Sequence, residues 1–255
     1  MGETKAVIRQ PQSDKHSLEL SELPFAFGLG VEQLEQQTTK TRLLPMLNKI
    51  TVKQRLHKLE VCFGCTRNNR YCVYTEEGDQ IYYVYEDSVC LMRQMTGALR
   101  GLILKMTDED QEDVLIMKRP ARCSSRCFWS CCSLQVMDII VQQDKEKAAT
   151  IYEVWSCCIP QYRVVNKEGS LLWRVKGGTC HYRCCSQIHF EFLTPDGERA
   201  AAVNRECQGC DELIGASNTF SIHFSDDLDA RQRLIILGST FLVDLNYFEK
   251  QNRCW

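Results

Sequence analysis

The chain has 255 residues, of which 44% are hydrophobic and 25% are charged, so it is long enough to bury one large core. These values exclude a collagen, a coiled coil and a disordered chain. The 31 lysines and arginines nearly balance 33 acidic residues, giving a formal charge of −2, so we expect no nucleic acid partner. The unusual feature is the number of cysteines, which is 16.

The first residues are polar and charged and lack the apolar stretch of a secretory signal, so we expect a reducing, cytosolic environment. Free, metal-bound or acylated thiols are then better explanations for the cysteines than structural disulfides. We predict a flexible segment over residues 1–27, one domain over residues 28–250 and a short tail over residues 251–255.

From about Leu59 onward, short segments rich in valine, isoleucine, tyrosine and phenylalanine alternate with charged turns. Four pairs of these segments have the pattern of β-hairpins. The pairs are 71–74 with 81–85, 102–106 with 114–117, 162–165 with 171–175, and 189–193 with 200–203. Short strands at such regular intervals indicate an antiparallel meander or barrel.

The C-terminal region predicts one helix that begins at Ser225-Asp226-Asp227 and extends to Phe248. Oxygen side chains at a helix start accept hydrogen bonds from N–H groups that have no partner within the helix. The segment is apolar on too many sides for a surface helix, so strands or lipid must cover it. Its apolar run, residues 234–243, is shorter than the roughly 20 residues that span a bilayer, which favours a buried helix.

The densest group of cysteines lies within residues 123–132. Phe128 and Trp129 suit a membrane interface, and Arg122 and Arg126 suit anionic headgroups, so this segment fits S-acylation. Two neighbouring acyl chains would matter because one chain gives only marginal membrane binding. A loop of inert, buried thiols is the alternative that the spacing leaves open.

Two further cysteine pairs have the spacing of zinc ligands. They are Cys62-Phe63-Gly64-Cys65 and Cys207-Gln208-Gly209-Cys210, which together offer four thiolates. The 141 residues between the pairs argue against one shared site, because the halves of a structural zinc site usually lie much closer in sequence. A zinc-stabilised intracellular module stays open as an alternative.

The sequence has no G-x-S-x-G elbow, no glycine-rich phosphate loop and no H-E-x-x-H motif, so we expect no enzyme. Residues 218–229 offer oxygen ligands suited to Ca²⁺, but they lack the mid-loop glycine of the standard calcium loop. The alternation of Phe220, Ile222 and Phe224 predicts a strand that leads into the helix instead.

Ordered features over residues 28–249 resemble the phospholipid scramblase family. The most specific are Arg119-Pro120-Ala121-Arg122-Cys123-Ser124-Ser125, and the block from Asp227-Leu228-Asp229 through Phe241-Leu242-Val243-Asp244 to Phe248-Glu249. The resemblance implies a mainly β fold, a closed antiparallel tubby-like β-barrel around a hydrophobic C-terminal helix. It also implies a phospholipid scramblase, which moves membrane phospholipids between leaflets in both directions, without ATP or covalent chemistry and in response to calcium.

The resemblance also assigns sites. Acylation falls on Cys127, Cys131 and Cys132, and the expected location is the cytoplasmic face of the plasma membrane. The calcium segment maps onto residues 216–227, with a weak ligand set of Asn218, Phe220, Ile222, Phe224 and Asp227. Ala216 stands where the family has its first acidic ligand, which should weaken a Ca²⁺ site. The alternative function is a non-scrambling, acyl-anchored tubby-like module that binds lipid or regulates partners.

Overall fold

The computed structural model describes residues 44, 47–55, 69–87, 101–122, 134–142, 145–156, 159–178, 189–205 and 219–248. These residues form twelve strands and one α-helix, which is followed by a π-helical turn. The strands are β1 (Lys49–Gln54), β2 (Arg70–Tyr74), β3 (Gln80–Glu86), β4 (Leu102–Thr107), β5 (Asp113–Arg119), β6 (Val136–Val141), β7 (Glu146–Val154), β8 (Gln161–Asn166), β9 (Leu171–Gly177), β10 (His189–Leu193), β11 (Arg199–Arg205) and β12 (Thr219–Phe224). The helix, α1, is Ala230–Val243, and the π-helical turn is Asp244–Phe248.

The strands form one closed antiparallel barrel in which each strand pairs with its neighbours in the chain. The first and last strands close it, since Val52 of β1 lies opposite Phe220 of β12 and opposite Val73 of β2. Closure leaves no unpaired strand edge in the sheet, which removes the usual site of edge-to-edge aggregation. The prediction of a mainly β, closed antiparallel barrel with one C-terminal helix is confirmed.

The four hairpins predicted from the sequence are present, and their turns follow from local chemistry. Gly78, Gly169 and Gly197 each adopt a positive φ, between 87° and 95°, that favours glycine. Along each strand, side chains alternate between the interior and the outer surface. The expected strand with Phe220, Ile222 and Phe224 on one face is also confirmed, because all three side chains are buried in β12.

The connections between strands divide the barrel into two unlike ends. Because neighbouring strands are antiparallel, successive connections alternate between the ends. At one end, here called the turn rim, the connections have four or five residues: 75–79, 108–112, 142–145, 167–170, 194–198 and 225–229. At the other end, here called the loop rim, they have six to sixteen residues: 55–69, 87–101, 120–135, 155–160, 178–188 and 206–218.

The N-cap of helix α1 lies four residues beyond the first residue of the predicted start. It is Asp229, whose side chain accepts a hydrogen bond of 2.7 Å from the Gln232 N–H. The Gln232 side chain accepts in return from the Asp229 N–H at 3.0 Å, which completes a capping box. The predicted start at Ser225-Asp226-Asp227 is wrong because these residues form a turn, in which the Leu228 N–H reaches the Ser225 carbonyl.

The helix lies inside the barrel. Every residue from position 233 to position 246 is buried, on all sides of the helix, and α1 packs against β5, β6 and β7. A helix that is apolar all round has to be covered completely, and the barrel wall provides that cover. The choice between strands and lipid that the sequence left open is therefore settled in favour of strands.

Arg233 fixes the start of the helix at the turn rim. Its guanidinium is fully buried and lies 5.3 Å from the centre of the Phe224 ring. It donates to four main-chain carbonyls, those of Leu44 (3.3 Å), Leu47, Ser225 (3.1 Å) and Leu228 (3.0 Å). Burial lowers the pKa of Arg233, and nearby Asp226 acts to raise it. The bonds join α1 to the segment before β1 and to the turn after β12.

Asp244 fixes the other end of the helix near the loop rim. Its carboxylate is fully buried and accepts a hydrogen bond of 2.7 Å from the Tyr71 hydroxyl. Tyr71 lies near the start of β2, where that strand leaves the loop rim. A buried hydrogen bond contributes about 0.5–1.5 kcal/mol, so this contact stabilises the position of the helix end near the loop rim.

The close approach of α1 to the wall at Gly238 generates a stability prediction. A Cβ atom at position 238 would lie 3.0 Å from Leu115 Cδ2 and 3.3 Å from Ile139 Cγ2. Gly238→Val should therefore lower the free energy of unfolding by about 1–3 kcal/mol, measured by urea or thermal unfolding. Gly178→Val is the control, because the nearest atom to a Cβ there is 3.6 Å away. Equal stability of the two variants would contradict this packing.

Candidate functional site

The connections that begin and end at the loop rim contain most of the cysteines. By sequence, 14 of the 16 cysteines belong to the six loop-rim connections, and the other two are Cys72 and Cys254. Cys72 is in β2 and is a buried free thiol, and it is the one cysteine among the described residues. Burial raises the pKa of this thiol, although Arg55 acts to lower it, so Cys72 is a poor nucleophile.

The predicted acylation sites Cys127, Cys131 and Cys132 lie outside the described residues, but the base of their connection is described. The Arg122 guanidinium donates to the Leu134 carbonyl at 3.0 Å, and the Gln135 side chain donates to the Arg122 carbonyl at 3.0 Å. These bonds close the two ends of the segment against each other. The described ends of the connection, which we call its base, are therefore held together at the loop rim.

The base of this connection is also hydrogen-bonded to β7. The Gln135 N–H donates to a Glu153 carboxylate oxygen at 3.0 Å, and the Glu153 N–H donates to the Gln135 carbonyl at 2.8 Å. The base of this connection is thus joined to the end of β7.

An exposed surface with aromatic and basic residues lies on β7, β8 and β9, next to this base. We call it the β7–β9 face, and its residues are Tyr152, Trp155, Arg163, Arg174 and Lys176. Tyr152 and Trp155 are 39% and 48% exposed, and they are the exposed large hydrophobic residues of the described part of the chain. Tryptophan and tyrosine are favoured at membrane interfaces, where the ring body is in apolar surroundings and the polar end stays wet.

The strand register brings the cations of this face together. Tyr152 lies opposite Arg163, and Arg163 lies opposite Arg174, so the three form one row across three strands. Among the described residues, no carboxylate forms an ion pair with Arg163, Arg174 or Lys176.

Lys176 has an acidic neighbour that is already engaged. Glu191 of β10 lies opposite Lys176, but its carboxylate is 3.2 Å from His189 Nε2 and 4.0 Å from Arg199 Nη1. The β7–β9 face therefore carries three positive charges on a chain whose formal charge is −2.

Of the residues predicted to bind calcium, the structure describes Phe220, Ile222, Phe224 and Asp227, and these four do not surround a shared space. Phe220, Ile222 and Phe224 direct hydrocarbon side chains into the barrel, and β12 pairs on both sides with β1 and β11. Asp227 is exposed in the turn before α1, at the turn rim, whereas β12 begins at the loop rim. Asn218 and Ala216 lie outside the described residues. The described part of this set does not fit the oxygen-rich shell that Ca²⁺ prefers.

Two further properties bear on function. Within the described ranges, no helix has the length and apolar character needed to cross a bilayer. In the same ranges, no three histidine, cysteine, aspartate or glutamate side chains group together as a metal site would require.

The β7–β9 face was not predicted from the sequence. The hairpin of residues 162–165 and 171–175 was predicted, and the alternation of side chains along its two strands places Arg163 and Arg174 outward. What the sequence could not provide was the register that aligns them with Tyr152, because β7 was not predicted as a strand.

A closed antiparallel barrel that encloses an apolar C-terminal helix is consistent with the tubby-like superfamily. The sequence model of the Scramblase family matches residues 30–250. The chain therefore belongs to the scramblase family. No solved structure is significantly similar to it.

The relatives carry the same family name. Phospholipid scramblase 1 of Rattus norvegicus is 32% identical over 209 residues, covering 81% of this chain and 62% of its own length. Phospholipid scramblase 2 of Bos taurus is 29% identical, with 81% of this chain and 70% of its own length covered. Phospholipid scramblase 4 of Homo sapiens is 28% identical over 94% of this chain and 73% of its own. The chain spans less than two thirds of the rat protein.

Proposed function

We propose that this protein is a phospholipid scramblase that increases the rate at which phospholipids move between leaflets, in both directions and without ATP. The observation that carries the proposal is the family match over residues 30–250. The movement needs no covalent chemistry, because the barrier is the transfer of a polar headgroup through hydrocarbon. We therefore assign no catalytic residue.

We further propose that the protein acts from the membrane surface, on the cytoplasmic face of the plasma membrane. The burial of residues 233–246 supports this, because a spanning role for α1 would require the barrel to open. The loop rim would hold acyl chains on Cys127, Cys131 and Cys132. The β7–β9 face, which lies beside the base of that segment, would contact anionic headgroups through its three cations.

A second candidate is a non-scrambling module that binds the membrane and regulates partners. The enclosed helix favours it, because an intact barrel offers the headgroup no path through the bilayer. Both candidates share the acyl anchor and the β7–β9 face. They differ only in whether lipids change leaflet.

Scrambling in vesicles separates the two candidates. Purified full-length protein, reconstituted into liposomes with a fluorescent phospholipid, should accelerate the loss of leaflet asymmetry without ATP. Vesicles without protein give the background rate. No acceleration by protein that is demonstrably bound to the vesicles would contradict the first candidate and leave the second.

The same assay tests calcium. A calcium requirement is a prediction from the family resemblance, and the placement of Phe220, Ile222, Phe224 and Asp227 offers it no support. A true requirement would reduce scrambling to background in the presence of a chelator. Full scrambling activity in the presence of the chelator would show that the protein does not require calcium.

Acylation is tested by replacing its thiols. The triple variant Cys127→Ser, Cys131→Ser and Cys132→Ser should move the protein from the membrane fraction to the soluble fraction, because the remaining electrostatic contact is reversible. The matched control replaces Cys180, Cys184 and Cys185, the same number of thiols in another loop-rim connection. Equal membrane fractions for both triple variants would refute the proposed anchor sites.

The β7–β9 face is tested by vesicle binding. Replacing Arg163, Arg174 and Lys176 with glutamine should weaken binding to phosphatidylserine-containing vesicles by about 3 kcal/mol, roughly 100-fold, since each cation near an anionic surface contributes about 1 kcal/mol. The loss should shrink at high salt.

The control makes the same charge change elsewhere. Lys53, Arg55 and Arg70 lie on β1 and β2 or next to β1, and β2 is six strands from β8 in a barrel of twelve. One flat membrane cannot contact both sides of the barrel at once. Similar losses for the two triple variants would mean that binding follows net charge rather than a docking face.

A further inference from the structure

We propose that the charges of the turn rim orient the protein on an anionic membrane, so that the barrel lies on its side with β6 to β9 toward the lipid. This orientation rests on the proposed membrane function and specifies which side of the barrel meets the lipid surface. It adds two contact residues, Lys145 and Lys167, to the β7–β9 face. Charge is distributed unevenly around the turn rim, and that distribution selects one side of the barrel.

Four of the six turn-rim connections carry only negative charge. They contain 12 aspartates and glutamates and no lysine or arginine. Eleven of these acidic side chains are exposed, and that of Asp108 is half-buried. The four connections, which we call the acidic arc, are 75–79, 108–112, 194–198 and 225–229.

The acidic arc is continuous around the rim and has one gap. The strand order places its connections in succession, at β10 and β11, at β12 next to β1, at β2 and β3, and at β4 and β5. The other two turn-rim connections, 142–145 and 167–170, complete the circle, and we call them the gap. By sequence they contain two acidic and two basic residues, so they are neutral together. The gap lies at the ends of β6 to β9, the strands that include the β7–β9 face.

The charge of the acidic arc is large compared with that of the whole chain. The arc has a charge of −12 and the chain has −2, so all other residues together carry +10. Lys49, Asp113, Arg199 and Arg231, which border the arc, bring the charge of this region only to −10. The small net charge of the protein therefore conceals a surface with strongly separated charges.

The size of the barrel makes this separation effective. Twelve strands about 4.8 Å apart and tilted by about 40° enclose a barrel roughly 24 Å across. The Debye length at physiological ionic strength is about 8 Å. When the gap faces the membrane, connections 75–79 and 225–229 lie on the far side of the barrel, where their repulsion from anionic lipid is screened. Any other side of the barrel brings part of the acidic arc against the negative surface.

The side that carries the gap is also the side that carries exposed cations from one rim to the other. Lys145 and Lys167 are exposed at the turn-rim end. Arg163 lies farther along β8, and Lys176 lies opposite Gln161 at the loop-rim end of that strand. Lys167 shares its charge with Glu146, because their side chains form an ion pair of 2.8 Å. A contact along the whole length of the barrel fits this row of cations.

The alternative orientation is an upright barrel that stands on its loop rim. In that orientation the whole turn rim lies away from the lipid, so Lys145 and Lys167 contribute nothing to binding. The connection that contains the predicted acylation cysteines leads into β6, which belongs to the same side of the barrel as the gap. An acyl anchor on that connection is therefore compatible with a barrel that lies on its side.

Charge reversal in the gap tests the orientation, with the full chain and vesicles of phosphatidylserine and phosphatidylcholine. Lys145→Glu with Lys167→Glu should weaken binding at least about tenfold, because two cations at the lipid surface become two acids. The matched control, Lys49→Glu with Arg199→Glu, makes the same change of net charge beside the acidic arc. It should alter binding less than about threefold, and high salt should remove the difference between the two variants. Thermal unfolding of both variants verifies that they are folded.

A photoreactive side chain reports the contact with lipid directly. In place of Ser170, which is exposed in the gap, it should label phosphatidylserine in the vesicle. In place of Glu77, which is exposed in the acidic arc, it should not.

The possible outcomes separate this orientation from the function on which it rests. Equal binding by the two paired variants, or equal labelling from the two positions, would overturn the side-on orientation and leave membrane docking intact. Labelling from neither position, with binding retained, would identify the upright barrel. No binding of the unaltered chain to phosphatidylserine-containing vesicles would overturn the docking function and the orientation with it.

Discussion

The filling of the barrel is the constraint on which the rest of this structure depends. Eight strands already enclose an interior that side chains can fill, and twelve strands enclose more. An empty interior would forfeit close packing, so something must occupy it. Helix α1 does so, with Gly238 against the wall and every residue from 233 to 246 buried. The C-terminal segment is therefore apolar because it forms the core of the barrel.

This constraint decides where function can reside. With α1 inside and anchored by Arg233 at one rim and by Asp244 at the other, the chemistry available to a membrane lies on the outside of the barrel. The two rims differ in kind: one has tight turns, and the other has long connections that contain 14 of the 16 cysteines. The exposed aromatic and basic side chains of the β7–β9 face lie beside one of those connections. The proposed acyl anchor belongs to a loop-rim connection, and the proposed docking face lies on strands next to that connection.

Local signals in the sequence predicted much of the fold. Charged turns identified four hairpins, and three of these turns contain a glycine with a positive φ, such as Gly78. Three strands, β1, β6 and β7, were not predicted. Both β6 and β7 have consecutive buried residues, such as Ala148 to Ile151, so the period-two signal is blurred. The helix start was misplaced because several oxygen side chains precede α1, and only the tertiary structure selects Asp229 among them.

The site was less predictable because it depends on register and closure. The family resemblance assigned acylation to Cys127, Cys131 and Cys132, but the sequence could not show that the six long connections share one rim. It also could not align Tyr152 with Arg163 and Arg174, because that row exists only in the register of β7, β8 and β9. Strand register and barrel closure depend on the pairing of segments that are far apart in the chain, and local sequence patterns do not show that pairing.

The central claim is that the protein works with α1 enclosed, and hydrogen exchange of the vesicle-bound protein tests it most directly. The account predicts that amides of residues 233–243 exchange as slowly on phosphatidylserine-containing vesicles as in solution, under conditions in which lipid movement is measured in parallel. Protection that is lost on membrane binding, with exchange in α1 rising as the strands stay protected, would show that the helix leaves the barrel and would contradict the account.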